Sequence, residues 1–201
     1  CAHSRRVPRK ADGVRHVVQR HPAIAHVVGD RALLPGRSVR SNDLTHELVT
    51  KAPRGRYGGA IRLLQENFIV VSPQCAVGVG WDTAALSALL DELEKKLRVD
   101  QKRIYLTGLS MGGYGTWELG LREPERFAAL APICGGASTI HAKLNNRDQK
   151  RGKIQRKLPI WAFHGAKDEG LPATESRRMV NLLRKFGNKS VKLTVYPNVG
   201  H

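Results

Sequence analysis

From about residue 68 onward, apolar positions follow two patterns in turn. Short runs with little polar interruption, at 68–71, 104–107, 127–133 and 158–163, suit strands buried on both faces, as a parallel sheet requires. Residues 191–196, Val-Lys-Leu-Thr-Val-Tyr, alternate instead and predict a strand with one wet face. Between these runs the repeat changes to steps of three and four. Leu86, Leu89, Leu90, Leu93 and Leu97 form one stripe, with Asp91, Glu92, Glu94, Lys95 and Lys96 opposite, so 83–98 reads as an amphipathic helix capped by Asp82 or Thr83. A second helix is expected at 111–122, stopped by Pro124, and a third along Met179, Leu182, Leu183 and Phe186, ended by Gly187. Strands alternating with helices predict an α/β fold with a doubly wound, mostly parallel sheet and helices on both faces. A functional site then belongs at the carboxyl ends of the strands.

One such end carries Gly108-Leu109-Ser110-Met111-Gly112. Glycines around a serine between strand and helix permit a sharp turn that holds the hydroxyl exposed, which makes Ser110 the candidate nucleophile. A serine hydroxyl needs a histidine to take its proton and a carboxylate to orient that histidine. In the strand-turn-helix version of this chemistry the chain order is serine, acid, histidine, each after a strand. Asp168 follows the run at 158–163, and His201 follows the alternating strand, so these are the candidate acid and base. Glu169 stays open as an alternative acid. His164 reads as a hydrogen-bonded structural histidine, and His3, His16, His21, His26, His46 and His141 lie in segments with no comparable context.

The stretches 68–75, 103–115, 127–136 (FAALAPICGG) and 159–168 together resemble the α/β-hydrolase esterases related to feruloyl esterases and polyhydroxybutyrate depolymerases. The likeness runs from about Asn42 to the end. It implies an α/β-hydrolase fold and a serine hydrolase cleaving carboxylic esters through an acyl-enzyme. The family's motif positions fall on Ser110, Asp168 and His201. It also implies an oxyanion hole made by the backbone N–H of Met111 and by a donor from an earlier loop, where Gly36 is the residue that matches. Trp81 is a candidate for the substrate pocket. Small-molecule or polysaccharide-linked esters are the implied partners, and a secreted or periplasmic setting the implied location. A peptidase of the prolyl-oligopeptidase-like type is the neighbouring alternative.

Composition adds a second candidate class. The 201 residues carry 34 Lys or Arg against 17 Asp or Glu, a net charge of +17, which admits a weakly active or inactive polyanion-binding fragment. The basic residues concentrate in two places. Residues 1–41 hold nine basic and two acidic residues with little apolar periodicity, and are read as an atypical segment, disordered or artefactual. Residues 42–201 are then a partial catalytic domain, with the chain expected to be cut short at both ends. The other basic stretch, Lys143, Arg147, Lys150, Arg151, Lys153, Arg156 and Lys157, is expected to be a solvated loop, placed as a lid or rim at the mouth of the site. Aromatics hardly occur in it, which disfavours nucleic acid as a partner. Three cysteines do not form a disulfide framework, and Cys75 and Cys134 are expected as buried thiols. No spacing of ligand residues suggests a metal site and no glycine-rich phosphate cradle is evident, so no cofactor is expected. No apolar run approaches the roughly 18 residues of a membrane span.

Overall fold

The structure, a computed structural model, describes residues 68–71, 73 and 80–201 together with the backbone of 23–28. Gly36, Cys75 and, apart from 23–28, the expectations for residues 1–41 lie outside these described residues. A six-stranded parallel sheet in the order β2-β1-β3-β4-β5-β6 forms the centre. Its strands are β1 (Ala23–Val28), β2 (Phe68–Val71), β3 (Ile104–Leu109), β4 (Ala129–Ile133), β5 (Ile160–Gly165) and β6 (Val191–Tyr196). β1 was not anticipated by the apolar pattern, and it stands between β2 and β3 with Ile24 opposite Ile69 on one side and Ile104 on the other.

Helix α1 (Thr83–Lys96) places Leu86, Leu90 and Leu93 in the core. Asp82 caps it by accepting from the N–H groups of Ala84 and Ala85. Helix α2 (Met111–Arg122) follows β3 at once and buries Trp117, Leu119 and Leu121. Glu123 ends it, and a single 3₁₀ turn over Pro124–Arg126 follows. Arg126 then ties that turn to α1, with Glu94 and Asp91 each 2.7 Å away. Helix α5 (Thr174–Lys185) buries Met179, Val180 and Leu183, and Gly187 leaves it with φ +90, as a helix-stopping glycine should.

Two expectations are corrected. The basic insert is not a loop: it forms α3 (Ile140–Arg147) and α4 (Gln149–Lys157), with Asp148 capping α4 through Arg151 N–H. Their inward stripe is Ala142, Asn145, Gly152 and Gln155, too polar to register as an apolar repeat. Asn145 donates to Leu121 O at 2.6 Å and to Gln155 Oε1, and Gln155 donates to Ala142 O, so the buried amides are satisfied. Leu121 lies in the last turn of α2, roughly 15 Å along that helix from its start. The basic α4 therefore flanks the end of α2 remote from Ser110 and does not rim the site. The second correction is Trp161, which belongs to the 158–163 run expected to be buried on both faces. Over its first four residues β5 covers one face more than the other, so Ile160 and Ala162 join the core while Trp161 is half exposed, stacked on Phe163 and donating to Thr194 Oγ1.

Close approach sets the position of α2. A Cβ at Gly113 would collide with Ile133 O and stand 3.0 Å from Gly135 Cα, so the helix can lie on the turn after β4 only if it carries no side chain there. Gly113→Ala is expected to lower stability by about 1–3 kcal/mol. Gly80→Ala, where a Cβ would meet nothing within 4 Å, should stay within about 0.5 kcal/mol of the parent. Urea unfolding of both variants checks this, and equal effects would refute the packing argument.

Candidate active site

β3 delivers Ser110 to the start of α2 in a backbone conformation that side chains seldom adopt, φ 57 and ψ −116. Such a residue costs on the order of 1–3 kcal/mol and persists only where its surroundings enforce it. Here Ser110 N–H donates to Ile133 O at 2.9 Å, anchoring the turn to the end of β4. Ser110 precedes the first helical residue but its side chain makes no cap, which leaves the hydroxyl for other partners. Met111 opens the helix, and its N–H is among those that no carbonyl of the helix can satisfy.

The loops after β5 and β6 are bound to each other. Ala166 N–H donates to Tyr196 O and Lys167 N–H to Val199 O. Gly165 lies against the carbonyls of Val199 and Gly200, where a Cβ would not fit. This clasp brings His201 beside Asp168 and Ser110. His201 Nδ1 is 2.7 Å from Asp168 Oδ2, and His201 Nε2 is 2.7 Å from Ser110 Oγ. Since a carboxylate only accepts, Nδ1 carries the proton, and the bare Nε2 accepts from the serine hydroxyl. The structure thus brings together the three residues that the sequence argument paired.

Asp168 is buried and accepts a second hydrogen bond on Oδ1, from Leu171 N–H at 2.7 Å. Burial pushes its carboxyl up. The hydrogen bonds from His201 and Leu171, with the fields of His201 and His164, outweigh that and hold it below the ordinary aspartate value. Glu169, the alternative acid, points to solvent. Trp81 is half-buried, donates its indole N–H to Met111 O at 2.8 Å, and faces Gly115, where a Cβ would come within 2.8 Å of the ring.

Two contributors had no sequence expectation as site residues. Leu171 acts through its backbone, which no side-chain pattern reports. Ser176 sits in α5 beside His164, and its only signal is its place on the stripe with Met179, Val180 and Leu183. Among the described residues, Cys134, Asp168 and His201 have ligand atoms within 4.8 Å of one another and are the group that could hold a metal. A metal there would have to displace hydrogen bonds already made by both nitrogens of His201 and both oxygens of Asp168. Among the same residues no helix is long and apolar enough to cross a membrane.

Comparison with known proteins agrees with this architecture. A bifunctional acetylxylan esterase/xylanase of Neocallimastix patriciarum is 34% identical over 113 residues, which is 53% of this chain and 15% of that protein. A solved thermostable esterase superposes with a TM-score of 0.64 at 29% identity, over 89% of this chain and 47% of its own. A ferulic acid esterase shares the fold, with a TM-score of 0.62 at 17% identity over 91% of this chain and 79% of its own. The chain therefore spans less than half of the first two relatives. The profile described as Phospholipase/Carboxylesterase matches residues 73–201, more than half of the sequence and all of the site described above, and the chain belongs to that family.

Proposed function

We propose that this protein is a serine hydrolase that cleaves carboxylic esters through an acyl-enzyme. The observation that carries the reading is the series of two 2.7 Å hydrogen bonds running from Ser110 through His201 to Asp168. Ser110 Oγ adds to the ester carbonyl as its proton passes to His201 Nε2, and the imidazolium that forms is stabilised by Asp168. The oxygen of the tetrahedral adduct lies toward Met111 N–H. His201 then returns the proton to the departing alkoxide, leaving Ser110 acylated. A water deprotonated by His201 releases the acid and restores the serine. Trp81 supplies an apolar wall beside this turn, with its N–H already committed to Met111 O. Similarity to an acetylxylan esterase and to a thermostable esterase supports an ester over a peptide, and a short acyl group on a polysaccharide or small alcohol is the substrate class we infer.

Turnover of p-nitrophenyl acetate tests the reading. Ser110→Ala should lower kcat by at least about 10⁴-fold and abolish labelling by a fluorophosphonate. Undiminished hydrolysis or labelling in that variant would reject Ser110 as the nucleophile.

The lowered Asp168 carboxyl also fixes a pH dependence of stability. A group whose folded pKa lies below its unfolded value of about 3.9 contributes stability in full above that value, and loses it as pH falls through the folded pKa. The difference in urea midpoint between the parent and Asp168→Asn should therefore be larger at pH 7 than at pH 3. An equal difference at both would contradict the depressed carboxyl.

A further inference from the structure

We propose that His164 is a positioning residue for Asp168, acting on the orientation of the acid and through it on His201. The inference rests on the serine-hydrolase reading above. His164 and Asp168 side chains are both fully buried, four residues apart at the end of β5. His164 Nε2 lies 2.8 Å from Leu171 O and 3.3 Å from Asp168 Oδ2. Both neighbours are acceptors, so Nε2 carries a proton and donates, chiefly to the carbonyl and secondarily to the carboxylate.

Leu171 closes the arrangement. Its carbonyl is held by His164 and its N–H donates to Asp168 Oδ1 at 2.7 Å. The imidazole thus secures the peptide that grips one oxygen of Asp168 and touches the other oxygen, the one presented to His201. A second contact, Nδ1 at 2.8 Å from Ser176 Oγ, opposes turning of the ring. Ser176 in turn donates to Gly135 O, and Gly135 packs on Gly113 in the helix behind the nucleophile. A continuous set of buried contacts therefore relates the acid to the element carrying Ser110. A packing role alone would need a ring of this size; it would not need Nε2 in particular.

Glutamine and asparagine separate these roles, since Gln places its amide nitrogen near Nε2 and Asn places its own near Nδ1. With p-nitrophenyl acetate, His164→Gln should keep kcat within about 3-fold, while His164→Asn should lose about 10- to 100-fold with KM unchanged. The hydrogen-bonded proton of His201 Nδ1, observed by NMR, should persist in the Gln variant and shift or vanish in the folded Asn variant. Equal losses in both variants, or no loss in either, would overturn the proposal. If His164→Asn does not fold, Ser176→Ala, which releases Nδ1 and frees the ring to turn, should lower kcat at constant KM; an unchanged kcat there would overturn it equally. Ser110→Ala is measured alongside. Residual activity in that control indicts the hydrolase reading, whereas the Gln to Asn ratio reports on His164 alone.

Discussion

The site depends on how closely α2 can approach the short turn that follows β4. Ile133 O accepts from Ser110 N–H, Gly135 O accepts from Ser176, and the Cα of Gly135 faces Gly113. Three glycine-permitted or backbone contacts within a few residues thus connect Ser110, the helix behind it and the helix that flanks Asp168. A single methyl group introduced there would separate groups that now stand at hydrogen-bond distance. Proteins accept such constrained joints where geometry has to be exact to a fraction of an ångström, and the unusual φ of Ser110 belongs to the same bargain.

The surroundings of Asp168 and His201 are organised differently. Asp168, Leu171, His164 and His201 all come from the last two strands and the loops after them, and their contacts are hydrogen bonds more than packing. The two loops are joined by Ala166 and Lys167 before any side chain is considered. A buried carboxylate in this setting would be costly if unpaired. It remains ionised because donors converge on both of its oxygens.

Much of this was legible in the sequence, for identifiable reasons. Strands β2, β3 and β6 and helices α1 and α2 matched their predicted spans closely, because apolar periodicity and turn residues agreed there. The three residues that converge were found from chain order and strand ends, since that chemistry restricts where each group can stand. The misses have physical causes as well. α3 and α4 bury amides and glycine where a helix usually buries leucine, so their inward face carried no hydrophobic signal. Trp161 was misplaced because composition cannot tell which face of a strand is covered. β1 has only a short apolar run within a basic stretch, and its central position comes from pairing with strands distant in the chain. Contacts made by main chain, as at Leu171, leave no trace in residue identity.

Helix α2 begins Met-Gly-Gly-Tyr-Gly, and glycine is among the poorest residues for sustaining a helical turn, at about 1 kcal/mol each relative to alanine. Left to itself, this opening turn would unravel. It is helical only because sheet and neighbouring turn press on it, so Ser110 stands at the head of a segment with little conformational commitment of its own. Local fraying there would part Ser110 from His201 while leaving most of the secondary structure intact.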